Sequence, residues 1–142
     1  MSVEQNKAIM SRLVEEAINK GNLNMFDEVA VSDAVDHTLP PGMPSGAAGN
    51  KMFFGMLRTA FPDIHYTIED AIAEGDYVVQ RVTGQGTMKG EFMGMKPTGK
   101  HAKWSEIHIV RLKNGKIVEH WGNVDQMGML QQLGLVPMPE HA

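Results

Sequence analysis

The 142-residue chain contains no cysteine. That one absence removes disulfides, thiol nucleophiles and thiolate metal sites, and it fits a reducing, cytoplasmic location. Basic residues are also few, with 13 Lys and Arg against 17 Asp and Glu and a formal net charge of −4. They are scattered along the chain, so no nucleic-acid surface is expected. No apolar run approaches the roughly 18 residues of a spanning helix. The opening MSVEQNKAIM carries charge where a signal peptide needs an apolar segment. Neither a membrane partner nor export is expected. Six histidines are present, but none forms an i, i+4 helical pair beside a Glu, so no metal site is expected.

What remains is an ordinary soluble composition, 42% hydrophobic and 21% charged. At this length one domain, residues 1–142, is the natural count, with enough buried surface for a core and a pocket. The 12 methionines are many. They read first as ordinary core filler and second as the lining of a pliable apolar cavity.

Ser2 with Gln5 three residues on is a capping-box signature, and Ile9, Leu13, Val14, Ala17 and Ile18 recur at helical spacing. A first helix is predicted from Val3 to Lys20, stopping at Gly21, with a short second one over Leu23–Val29. Residues 35–46 (VDHTLPPGMPSG) are dense in Pro and Gly and read as loop. A third helix is predicted over Asn50–Phe61, ended by Pro62-Asp63. Strands are predicted at Ile64–Ala73, Tyr77–Thr87, Lys103–Leu112 and Lys116–Val124, then a helical piece at Gln126–Leu133. Helices first and antiparallel strands after argue an α+β domain, with helices on one face of a curved sheet.

The stretch GMKPTGKH, residues 94–101, nearly spells a phosphate-binding loop. The Ser or Thr that would bind Mg²⁺ is replaced by His101, and the residues that follow read as strand instead of helix. A Pro-Thr-Gly turn between strands is the better reading.

Asn114-Gly115 is the strongest hairpin signal, and a two-residue I′ turn makes the register explicit. Lys113 faces Lys116, His108 faces Trp121, Glu106 faces Asn123, and Trp104 faces Asp125. Aromatic and polar groups then share one face, as in a small-molecule pocket. A mutually satisfied internal network is the bland alternative. The other face carries Ile107, Ile109 and Arg111 against Gly122, His120 and Val118. Its apolar area suggests a homodimer. A β-bulge would shift part of this register.

The segments PSGAAGNKMFFGMLRTAFPD, AIAEGDYVVQRVTGQGTMKGEFMGMKPTGK and EIHIVRLKNGKIVEHWGNVDQMGMLQQLGL together resemble the SnoaL-like polyketide cyclase family, also called ester cyclases. That family lies within the nuclear-transport-factor-two-like superfamily, and the resemblance runs from the first helix to Leu135. It implies a cone-shaped α+β barrel, a strongly curved antiparallel sheet packed on N-terminal helices around a deep cavity. It further implies a homodimer, a small, largely apolar carbonyl substrate, aldol-type acid/base ring closure, and neither metal nor organic cofactor. The family's cavity aspartate matches Asp125 and its assisting histidine matches His108. His37 stands where many relatives carry His.

On this reading Asp125 is the base, desolvated by Trp104 and Trp121, while His108 and Asn123 stabilise the oxyanion. Glu106 and His37 join the cavity, and Met43, Phe53, Met56 and Phe92 shape it. Arg81 is the one candidate for an epoxide-hydrolase-like Asp-Arg-Asp set, for which no second Asp is evident. A non-catalytic binder of a small hydrophobic molecule is the remaining alternative.

Overall fold

The computed structural model describes residues 1–137. Ser2 caps helix α1 (Val3–Arg12) with the reciprocal Ser2–Gln5 bonds of a capping box. The same helical run then widens into a π-helical segment, Leu13–Asn19, in which the Lys20 amide reaches back five residues to the Glu15 carbonyl. Its buried Leu13, Val14, Ala17 and Ile18 are the apolar stripe that the spacing predicts. Gly21, at φ +84°, ends it.

Helix α2 (Met25–Val29) passes directly into strand β1 (Ala30–Asp36). No strand is predicted here, and the last two residues of β1, Val35 and Asp36, fall in the predicted loop, because the sequence AVSDAVD offers little β-branched or aromatic signal. Helix α3 (Gly46–Ala60) begins four residues before its expected start. The remaining elements are β2 (His65–Glu74), β3 (Tyr77–Thr87), β4 (His101–Lys113), β5 (Lys116–Val124) and α4 (Gln126–Gln132). Each lies within two residues of its predicted bounds. Gly94 and Met95 belong to a small turn closed by a bridge between Phe92 and Met95, and residues 96–100 are irregular chain leading into β4, so the near-P-loop is a strand entry.

The five strands form one sheet in the order β1-β5-β4-β3-β2. β2 through β5 are antiparallel neighbours, whereas β1 runs parallel to β5. The expected α+β fold, a curved sheet packed on helices, forms, with two refinements. The sheet is mixed, and with β1 and β2 as its free edges it is an open curved sheet, not a closed barrel. Register shifts between Ile68 and Asp70, between Arg111 and Leu112, and along β1 supply the bending.

The helices cover the inner face. One core cluster joins Phe61, Trp104, Met88, Val82 and Leu133, and another joins Met25, Phe26, Val78, Val110 and Leu112. Between them the packing leaves space. Among the described residues, no helix is long and apolar enough to cross a membrane.

Candidate active site

The hairpin turn forms as expected, with Asn114 and Gly115 both at positive φ and Lys113 opposite Lys116. One step beyond Leu112–Ile117 the ladder slips, and Arg111 pairs with Glu119. Val118 is the extra residue of a bulge. Because side chains alternate with period two, that single insertion sends everything beyond it on β5 to the opposite face. His120 and Gly122, not Trp121 and Asn123, therefore join Glu106 and His108 on the inner face.

Four ionisable side chains meet there in a line. Asp36, the last residue of β1, binds His120 Nδ1 through Oδ2 at 3.0 Å. His120 Nε2 meets His108 Nδ1 at 2.9 Å, and His108 Nε2 meets Glu106 Oε1 at 2.6 Å. Trp104 Nε1 donates to the other Glu106 oxygen at 2.6 Å, and Thr38 donates its hydroxyl and its amide to Asp36 Oδ1. Each end of the line is thus a carboxylate with both oxygens engaged.

Burial alone would raise the Glu106 pKa, since the residue is only 4% exposed. The bond and charge of His108, with the Trp104 N–H and the Tyr66 hydroxyl, outweigh it and hold Glu106 below the usual carboxylate range. Asp36 is likewise pushed up by burial and pulled further down by His120 and Thr38, to about 2. Burial and the neighbouring Glu106 charge raise Tyr66 well above its ordinary value.

Proton counting then constrains the line. Three hydrogen bonds connect Asp36 to Glu106. Each needs a proton, ionised carboxylates supply none, and two neutral imidazoles supply only two. With both carboxylates ionised, all three bonds are made together only when the line holds one additional proton, on one of the two imidazoles. That charge can rest on His120 beside Asp36 or on His108 beside Glu106, one transfer apart.

Two glycines make the line possible. A Cβ at Gly122 would lie 2.5 Å from His108 Nδ1, so any side chain there would split the two histidines. A Cβ at Gly84 would lie 2.8 Å from the Trp104 indole, which lies across β3 to reach Glu106.

The line borders two adjoining chambers. The first, about 80 Å³, is walled by α1, the π-helical segment and β3 residues such as Gln80 and Val82. The second, about 130 Å³, is walled by Phe53, Leu57, Phe92, Trp104, Glu106 and Met129. Asp36, Asn50, Phe54, Tyr66, His108 and His120 line both.

Of the residues that the sequence points to, the structure gathers His108, Glu106, Trp104, Phe53 and Phe92 at the cavity. The others lie elsewhere. Asp125 is exposed and caps α4, accepting the Gly128 amide at 3.0 Å. Asn123 is exposed on the outer side of the bulge. Trp121 is on the outer face, stacked on His37 at 5.2 Å and near Tyr77. His37 itself bonds Glu119 at 2.8 Å. Arg81 pairs with Asp70 on the outer surface, which does not suit an epoxide-hydrolase-like centre. Met43 and Met56 do not line the chambers, and Met56 is 40% exposed.

Sequence reasoning passed over Asp36, His120 and Gln80. The first belongs to the unrecognised strand, the second was placed outward by an unbulged register, and the third depends on knowing which face of β3 is inner. The six glycine, proline and serine residues of 40–46 masked the strand that precedes them.

A family model described as SnoaL-like polyketide cyclase matches residues 8–133. Nogalonic acid methyl ester cyclase of Streptomyces nogalater is 30% identical over 120 residues, covering 83% of this chain and 90% of that protein. Among solved structures, IdmH from Streptomyces antibioticus is 36% identical with a TM-score of 0.79, covering 92% of this chain and 99% of that one. AclR from Streptomyces galilaeus is 29% identical with a TM-score of 0.84, covering 98% and 87%. The match spans every element that builds the two chambers, and the chain belongs to the SnoaL-like polyketide cyclase family.

Proposed function

We propose that this chain is a cofactor-independent ester cyclase that closes a ring in an enolisable carbonyl compound, with Glu106 as the proton acceptor and donor. The single observation behind this reading is the buried Glu106 carboxylate, in the apolar second chamber and hydrogen-bonded to His108 at 2.6 Å. Beside its bonds to His108, Trp104 and Tyr66, the carboxylate keeps one open lone pair.

In the forward step Glu106 takes a proton from the carbon between two carbonyls. The electron pair left on that carbon attacks a ketone carbon of the same molecule, forming the ring bond. The ketone oxygen becomes an alkoxide, and Glu106 returns the proton to it. As the substrate gains negative charge, transfer of the additional proton from His120 to His108 brings the imidazolium next to it. A positive charge that moves toward the transition state stabilises it more than the ground state. His108 supplies this charge, while His120 and Asp36 are positioning residues that store it.

Methyl esters of aromatic polyketide acids are the substrate class to try first, since the nogalater relative is named for one. The assay follows ring closure of nogalonic acid methyl ester by chromatography for wild type and Glu106→Gln. The amide satisfies His108 and Trp104 without the additional proton, so the fold should persist. Turnover should fall by roughly 10²–10⁴-fold, the usual worth of acid/base catalysis. Turnover retained within a few-fold in Glu106→Gln would remove Glu106 from the chemistry.

A further inference from the structure

Gln80 is central on β3, cross-strand from His108 on β4, and only 4% exposed. Its side chain lines the first chamber. Among the described residues, its Nε2 is fully buried and has no hydrogen-bond partner. The chamber around it is mostly aliphatic and aromatic, with Leu13, Val14, Ile18 and Val82 among its walls.

A buried amide donor without an acceptor is expensive, and folded proteins seldom keep one. A methionine or leucine would fill the same space at no such cost. The His108 ring next to it offers no acceptor, because both of its nitrogens are already committed to His120 and Glu106. The donor is therefore left over from a line of side chains that is otherwise complete.

The geometry points to Gln80 as the recognition residue for a ligand carbonyl oxygen in the first chamber. This deepens the cyclase reading and rests on it. The reacting carbon would lie at Glu106 in the second chamber, and a second oxygen of the same molecule would accept from the Gln80 Nε2 in the first, the amide turning to present this enclosed atom to the ligand. The two chambers adjoin at His108, so a molecule of more than one ring spans both. A site built around a buried donor discriminates strongly against an analogue that lacks the acceptor, whereas apolar walls alone discriminate weakly. The specificity is therefore for an aryl ketone or quinone oxygen over a hydrocarbon edge of the same shape.

The test uses binding, so that it stays separate from turnover. The probes are 1-tetralone and tetralin, two bicyclic molecules of nearly the same shape, one with a carbonyl and one without. Calorimetry or ligand-observed NMR gives their affinities for wild type and for Gln80→Met, which conserves volume. Wild type should prefer 1-tetralone by about tenfold, and Gln80→Met should lose that preference while still binding tetralin. The Gln80 side-chain amide signal, assigned by its loss in Gln80→Met, should move on addition of 1-tetralone only.

Unliganded Gln80→Met should melt at or above the wild-type temperature, because the substitution removes an orphaned donor. A clear drop in melting temperature would show that the amide is satisfied in the free protein and would overturn the proposal. So would an unchanged preference for 1-tetralone in Gln80→Met, or no preference in wild type. Loss of turnover in Glu106→Gln with tetralone discrimination intact leaves this inference standing. Retained turnover in that variant removes only the Glu106 chemistry.

Discussion

Asp36 lies at the end of a strand that the sequence barely announces, and its ionisation is the most quantitative consequence of the buried line. His120 and Thr38 bring its pKa from an ordinary 3.8 to about 2. Its side chain is only 6% exposed, so solvent screening is slight. At about 1.36 kcal/mol per pH unit, that drop corresponds to roughly 2 kcal/mol of stability. The sign follows from the direction. A group whose pKa is lower when folded stabilises the fold above its unfolded pKa and loses that stabilisation as pH falls through the folded one. The contribution is thus complete above about pH 4 and fades toward about pH 2. Urea unfolding of wild type and Asp36→Asn between about pH 6 and pH 3 measures it. The stability gap should be widest at the upper end and narrow by about 1 kcal/mol by pH 3, roughly half of the full contribution, since pH 3 still lies above the folded pKa. A gap that stays constant across that range would refute the Asp36–His120 ion pair, and with it the proton count that places an imidazolium in the line.

Gly122→Ala places a methyl where the His108 ring stands, so it should cost about 1–3 kcal/mol by overpacking and also depress turnover. Wild-type turnover in that variant would show that the two histidines need not touch. Asp125→Asn should leave turnover within about twofold, because asparagine caps a helix as well as aspartate does and the residue is exposed at the α4 N-cap. A loss of activity there would return the acid/base role to Asp125. The outer face of the sheet leaves Ile72, Ile107, Ile109 and Tyr77 exposed, and we propose that a second copy of the chain covers it. Light scattering should give a dimer for wild type and a monomer for Ile107→Lys, and a wild-type monomer at micromolar concentration would rule the dimer out.

Local signals made much of this protein legible. The Ser2 capping box, the apolar spacing of residues 9–18, the Gly21 stop and the Asn114-Gly115 turn each act over a few residues, and each forms as its chemistry dictates. The matched segments identified the family for the same reason, being patterns written along the chain. His108, Glu106 and Trp104 were also recoverable, since all three lie on one strand with period two and no bulge between them. What the sequence left open depends on partners distant in the chain. Residues 30–36 become a strand because β5 offers an edge to pair with, against a weak local preference. Whether Trp121 or His120 faces the cavity turns on a single extra residue, Val118, whose position is set by how β4 and β5 must bend to pack on the helices. Asp36 meets His120 across 84 positions of sequence, and only tertiary packing brings them within a hydrogen bond. The sequence alone determined the family and the elements other than β1; the bulge and that parallel edge strand decided which side chains carry the chemistry, because strand pairing and facing are properties of the sheet and not of any one segment.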